Sequence, residues 1–243
     1  MRHPFFAASR PLVFAHRGGS ALAPENTMAA FENGLRLGAD GLELDVHLSC
    51  DGQVVVHHDR TLDRMTTLRG PVAQRPADEL TRAGLPLLAD VLSRHRDVRI
   101  IIELKMNSPA LAEAAVNVVR RADAVDRVCF GSFGLRVLRA VRVLEPAVAT
   151  SAAREEVRWA LYRSWCRWPA RHAAYSGYQV PEWSGTTHVV SPRFVAYAHE
   201  ADLAVQVWTV DTEPHARRLL GWGVDALITD RPDIIVPVVR SHV

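Results

Sequence analysis

Apolar runs of four to six residues alternate with amphipathic stretches almost from end to end of this chain, and that alternation restricts the fold more than any other feature. A short apolar run followed by a helical pattern reads as a βα unit, and consecutive βα units pair as a parallel sheet. Eight candidate strands stand out: Leu12 to Ala15, Gly41 to Val46, Arg99 to Leu104, Arg127 to Gly131, Ala147 to Ser151, Tyr178 to Pro181, Ala204 to Val210, and Ala226 to Thr229. Thr187 to Val190 competes with the sixth. An open sheet of eight would leave two edges unpaired, so an α/β fold of the (β/α)8 TIM-barrel type is expected. The 243 residues, 48% of them hydrophobic, suffice for one such barrel, and a single domain spanning 1–243 is expected.

The helix signals agree. Asn26 precedes a stretch from Thr27 to Leu37 with Met28, Phe31 and Leu35 on one face and Gly38 at its end, which predicts a cap, a stripe and a stop. Ser108-Pro109 and Ser191-Pro192 each place a capping hydroxyl before a proline at the first helical position. Thr212 and Asp230 are expected to cap the last two helices. One segment breaks the pattern: Cys50-Asp51-Gly52-Gln53 is a tight turn, and Val54 to His58 then reads as an extra strand of a hairpin. This hairpin begins an insertion after the second strand, at about 48–85.

Charge and cysteine content narrow the function. Lys plus Arg exceed Asp plus Glu by only two, with no dense basic stripe, so nucleic acid is not an expected partner. The three cysteines, Cys50, Cys129 and Cys166, fit no zinc or Cys-x-x-Cys spacing and are expected to be reduced thiols. No apolar run reaches the length of a transmembrane segment, and Arg10 and Pro11 interrupt any signal-peptide core. A cytoplasmic location is the expectation. No Gly-x-Ser-x-Gly elbow, P-loop, dinucleotide fingerprint or His-Glu-x-x-His motif occurs.

The chemistry-bearing residues are polar exceptions within apolar strands. Glu43 and Asp45 lie two apart in the second run and share one face, as do Glu103 and Lys105 at the end of the third. His16 and Arg17 follow the first strand, with Gly18-Gly19 suggesting close approach of backbone to a ligand, and Trp208 lies late in the seventh. Strand C-termini are where barrels carry their active sites. Three carboxylates converging there repel one another by several kcal/mol at an intermediate dielectric, which a divalent cation would relieve. Oxygen donors without paired His or Cys select Mg2+ or Ca2+ over zinc.

Three carboxylates and one divalent ion leave about one negative charge, and Arg17 with Lys105 bring the site to about one positive, a match for a phosphodiester monoanion. His16 and His58 then supply an acid and a base, because imidazole titrates near neutral pH.

At this point the motifs resemble a known family. His16-Arg17-Gly18, Pro24-Glu25-Asn26-Thr27, Glu43-Leu44-Asp45-Val46, His58-Asp59 with Leu62-Asp63-Arg64, Ile102-Glu103-Leu104-Lys105, Trp208-Thr209-Val210-Asp211 and Thr229-Asp230-Arg231-Pro232 are similar, in order, to the glycerophosphodiester phosphodiesterases. The resemblance implies a metal-dependent TIM-barrel hydrolase that converts sn-glycero-3-phosphodiesters to an alcohol and sn-glycerol 3-phosphate. It assigns His16 and His58 as the acid/base pair, Glu43, Asp45 and Glu103 as metal ligands, and Arg17 and Lys105 as phosphate-binding residues. Both direct attack by water and prior cyclisation by the glycerol hydroxyl fit such a set. Met65 departs from the family's usual threonine, and His57 abuts His58; alternation puts the two on opposite faces, and the family register favours His58.

Two rival functions are a lysophospholipase D, which needs an apolar groove at the mouth, and a non-catalytic phosphodiester-binding barrel. Trp208 fits either the lining of a glycerol pocket or simple barrel filling. Glu25 and Asn26 read as turn and cap. The Trp- and Arg-rich segment from Trp159 to Trp183 reads mainly as an outer helix packed on the barrel through Trp159, Tyr162 and Cys166, with contact to a membrane surface or lipid tail as the alternative.

Overall fold

The computed structural model describes residues 3–169 and 173–242. Among the described residues there are eleven strands, most of them separated by helices. The strands are β1 (Leu12–His16), β2 (Gly41–Leu48), β3 (Val54–Val56), β4 (Arg99–Leu104), β5 (Val128–Gly131), β6 (Ala149–Thr150), β7 (Gly177–Pro181), β8 (Trp183–Ser184), β9 (Thr187–His188), β10 (Ala204–Trp208) and β11 (Ala226–Thr229). The α-helices are α1 (Met28–Arg36), α2 (Ala77–Arg82), α3 (Leu88–Arg94), α4 (Pro109–Arg121), α5 (Leu135–Leu144), α6 (Arg154–Trp165), α7 (Pro192–His199), α8 (Glu213–Gly221) and α9 (Pro232–Arg240).

Eight parallel strands form the sheet in the order β6-β5-β4-β2-β1-β11-β10-β7. An isolated bridge from Ser151 to Gly177 joins β6 to β7, which brings the two ends of the sheet together into a (β/α)8 barrel. All eight expected runs supply these strands. The fifth is short, only Ala149–Thr150. The segment near Thr187, expected to compete with the sixth, instead makes a two-stranded hairpin, β8 with β9, after β7. The expected extra strand is also shorter than its apolar run: β3 pairs antiparallel to β2 and ends at Val56, because His57 and His58 turn away to bond in the following loop.

Alternation along the strands sorts the side chains. Leu42, Leu44, Val46, Ile100, Ile102 and Leu104 point outward into the layer beneath the helices. The inward set begins with Leu12, Phe14, Ile101, Cys129, Ala149 and Ile228 at the barrel floor. Phe5 and Phe6, from a short 3-10 turn at Pro4–Phe6, join this cluster, and Phe5 stacks on Phe14 at 5.9 Å. The N-terminal residues thus plug the bottom of the barrel, and Arg99 at the start of β4 donates to the Ala7 carbonyl there.

Capping differs in detail from the sequence expectation. Thr27, not Asn26, caps α1, its hydroxyl accepting from the Ala30 amide at 3.2 Å. Ser191 caps α7 through the Phe194 amide. Ser108 and Thr212 occupy N-cap positions without a side-chain bond, and Arg231 rather than Asp230 precedes α9. Asn26 and Asp230 are drawn instead into the site at the barrel mouth.

Candidate active site

The strand register sets the site in two tiers. His16 pairs with Glu43, and Glu43 with Ile101; one step higher, Asp45 pairs with Glu103. Four inward side chains from β1, β2 and β4 therefore meet at the C-terminal ends of three adjacent strands. Ligand oxygens of Glu43, Asp45 and Glu103 all lie within 4.8 Å of one another. Lys105, just past β4, places Nζ 3.0 Å from Asp45 Oδ1 and 3.3 Å from Glu103 Oε1.

These groups open into a cavity of about 730 Å³. One end is polar, lined by His16, Arg17, Glu43, His58, Glu103 and Lys105, while Asp45 is buried behind them. Phe133, Val157, Leu161, Val180, Trp183 and Val189 also line the cavity, together with the polar Arg154, Arg158, Gln179, Ser184 and Thr187. Trp208 is half-buried, its ring edge-on to Phe133 at 6.1 Å. It both lines the cavity and packs against the inward cluster of the barrel. Every residue picked out for chemistry in the sequence thus reaches one site.

The electrostatics are those of three carboxylates packed among Lys105, Arg17 and His16. Burial, reinforced by the negative charge of Asp45, pushes the Glu43 carboxyl up to about 8. Burial also raises the cost of ionising Asp45, but Lys105 and Arg17 outweigh it and hold that carboxyl below its ordinary value. The Lys105 ammonium is held protonated by Asp45 and Glu103 against its own burial. Burial disfavours the His16 imidazolium, yet the charge of Glu43 and a hydrogen bond to Asp230 prevail and raise its pKa to about 9. Hard oxygen donors this close together would suit a divalent cation, which Glu43, Asp45 and Glu103 would hold.

The sequence missed the supports of this site. Asp230 was expected as a helix cap; its Oδ1 instead accepts from His16 Nδ1 at 2.7 Å and from the Ser20 hydroxyl. Asp211 in turn accepts from the Asp230 amide and the Thr229 hydroxyl, tying the loop after β10 to the loop after β11. Asn26, expected as a cap, donates from Nδ2 to Asp45 Oδ2 at 2.8 Å. Gly18 does not face the cavity: a Cβ there would lie 2.7 Å from Ala30, so its close approach is to α1. Its φ of +87° adds a second reason for glycine.

A chain of ion pairs crosses from the barrel to the loop after β3. Asp45 pairs with Arg17, Arg17 with Glu25, Glu25 with Arg64, and Arg64 with Asp59, whose Oδ1 accepts from His58 Nδ1 at 2.7 Å. Glu25, read as a turn residue, is the bridge in this chain. His58 faces the cavity, whereas His57 is buried and donates to the Thr61 carbonyl at 3.0 Å. Both residues lie beyond the end of β3, so the loop, not strand alternation, turns His58 to the mouth.

Eight parallel strands, three clustered carboxylates and two imidazoles beside cationic side chains define a barrel hydrolase of phosphodiesters. The profile of the glycerophosphoryl diester phosphodiesterase family matches residues 16–234, and the chain belongs to that family of enzymes. It is 31% identical to a glycerophosphodiester phosphodiesterase of Caldanaerobacter subterraneus subsp. tengcongensis over 96% of this chain and 99% of that protein. It is 34% identical to the probable glycerophosphodiester phosphodiesterase 2 of Mycobacterium tuberculosis, covering 95% and 91% of the two chains. Among solved structures, a phosphodiesterase of Oleispira antarctica in complex with the product sn-glycerol-3-phosphate superposes with a TM-score of 0.78 at 26% identity, over 95% of this chain and 97% of that one.

Proposed function

We propose that this enzyme hydrolyses sn-glycero-3-phosphodiesters to an alcohol and sn-glycerol 3-phosphate, with a divalent cation, Mg2+ or Ca2+, held by Glu43, Asp45 and Glu103. The observation that carries the reading is the meeting of those three carboxylates with His16, His58, Arg17 and Lys105 at one end of a single cavity. When bound, the cation supplies Lewis-acid polarisation of the phosphoryl oxygen. Arg17 and Lys105 offer N–H donors to the remaining phosphate oxygens, and Trp208 gives the glycerol carbons an apolar wall. His16, its Nδ1 committed to Asp230, presents Nε2 to the reacting atoms as a proton donor. His58, aligned by Asp59, is the partner base, so that one imidazole removes a proton from the attacking hydroxyl or water and the other returns one to the leaving oxygen. The bound product in the Oleispira antarctica relative supports this choice of substrate.

A second reading rests on the apolar residues of the cavity lining, Phe133, Val157, Leu161, Val180 and Val189, which would suit the acyl chain of a lysophospholipid. The test compares release of sn-glycerol 3-phosphate from glycerophosphocholine with release of choline from lysophosphatidylcholine, each with chelator and with Mg2+ or Ca2+ restored. Metal-dependent turnover of glycerophosphocholine is the expected result. A clear preference for the acylated substrate would favour the second reading, and activity untouched by chelation would refute the metal assignment.

We further take the chain as one domain with the loop after β2 as an insertion. No helix among the described residues is long and apolar enough to cross a membrane. Free cysteines, two of them exposed, support a reducing compartment such as the cytoplasm.

A further inference from the structure

Among the described residues nine large apolar or aromatic side chains are exposed, and five of these, Trp159, Tyr162, Trp165, Trp168 and Trp183, fall between positions 159 and 183. The sequence expectation that Trp159, Tyr162 and Cys166 pack α6 onto the barrel is therefore overturned. Helix α6 packs through the small or aliphatic residues Ala160, Leu161 and Ser164, and the aromatic side is turned to solvent, with Trp159 64% exposed and Tyr162 47%. Three of the rings form one surface: the Trp159 and Tyr162 centroids lie 5.9 Å apart, as do those of Tyr162 and Trp168. Such a contiguous aromatic face does nothing for an isolated fold and marks a contact surface.

Charge indicates what the contact is. Arg154, Arg158, Arg167 and Arg193 are exposed around these rings, and the Arg163 guanidinium lies over the Trp168 ring at 5.8 Å. Against them α6 exposes a single carboxylate, Glu155, since Glu156 is occupied by Arg142. The helix exposes no aliphatic side chain beside its rings. Trp and Tyr interleaved with guanidinium groups match a lipid–water boundary, where the rings enter the acyl margin and the cations meet phosphates. Arg158 and Leu161 of the same helix, and Trp183 beside it, also line the cavity, so this face adjoins the mouth of the site.

We propose that the outer face of α6 docks on an anionic phospholipid bilayer, holding the cavity mouth at the membrane surface. The contact does not depend on the reaction. It is tested by flotation of the full-length protein with vesicles of phosphatidylglycerol or of phosphatidylcholine, with tryptophan fluorescence read in parallel. The wild type should float with phosphatidylglycerol vesicles at low salt, shift its emission to the blue, and release as salt rises. The double variant Trp159→Ser with Tyr162→Ser should lose at least about tenfold of the bound fraction, while hydrolysing soluble glycerophosphocholine at the wild-type rate. The conservative change Tyr162→Trp should retain binding. Equal flotation of wild type and double variant, or no flotation of the wild type, would overturn the proposal. So would a wild-type dimer in size-exclusion chromatography that the double variant converts to monomer, because a second copy would then cover this face.

Discussion

Nδ1 of His16 lies 2.7 Å from Oδ1 of Asp230, so residues 214 positions apart, at the ends of the first and last barrel strands, form one unit at the seam where β1 meets β11. The carboxylate fixes which imidazole nitrogen faces the cavity. It also helps to keep that imidazole protonated.

Replacing Asp230 by Asn should therefore lower the His16 pKa from about 9 toward its ordinary value. If protonated His16 donates to the leaving oxygen, the alkaline limb of the kcat/KM profile moves to lower pH in this variant. The rate at its optimum should drop about tenfold or more. A pH profile superimposable on that of the wild type would separate Asp230 from the chemistry.

Removing a carboxylate should abolish metal binding. Isothermal titration of Glu43→Gln with Mg2+ or Ca2+ should show no saturable site, with activity lost alongside. Stability adds an independent readout. Glu43 has a folded pKa of about 8, above its unfolded value. Its contribution is thus complete below the unfolded pKa and is lost as pH rises through about 8. The metal-free wild type should lose Tm relative to Glu43→Gln across that window, and added cation should restore only the wild type.

The two neighbouring histidines should part company. His58→Ala is expected to cost about a hundredfold or more in kcat with little change in Tm. His57→Ala should lower Tm by removing a buried bond to the Thr61 carbonyl, and leave kcat within a small factor. The reverse pattern would exchange their roles.

Arg64 and Asp59 should act as one element. Arg64 holds the Asp59 carboxyl well below the usual carboxylate range, and Asp59 orients His58. Arg64→Ala and Asp59→Asn should each slow turnover, with a double-mutant coupling of about 0.5 kcal/mol or more in transition-state free energy. Strict additivity would mean that the ion pairs are merely surface decoration.

Thiol reactivity should follow burial. Cys50 and Cys166 are exposed, whereas burial pushes the Cys129 thiol well above its ordinary value. Titration with a disulfide reagent should count two thiols in the native protein and three after denaturation.

Much of the fold could be read from order along the chain. A strand in a barrel is apolar outside and, below its rim, apolar inside, so each became a short continuous run, and Glu43, Asp45, Glu103 and Lys105 were conspicuous as charges within such runs. The weakest strand, β6, has only two ladder residues, too few for a run to show a period. Asn26 and Asp230 carry the same residue types as helix caps and stand where caps stand. Local pattern could not reveal that each turns its side chain to a partner brought near only by ring closure. The aromatic spacing on α6 fixed that the rings share a face but not whether the barrel or solvent meets it.

The linear order of residues determined the repeated βα unit, the inward parity of the acidic side chains and the presence of two imidazoles, because these follow from periods of two and 3.6 residues. Tertiary structure decided the rest: that β11 lies beside β1 and delivers Asp230 to His16, that Glu25 links Arg17 to Arg64, and that α6 faces its aromatic rings outward. Those relationships join residues far apart in the chain, and only the closing of the sheet brings such residues within hydrogen-bond reach.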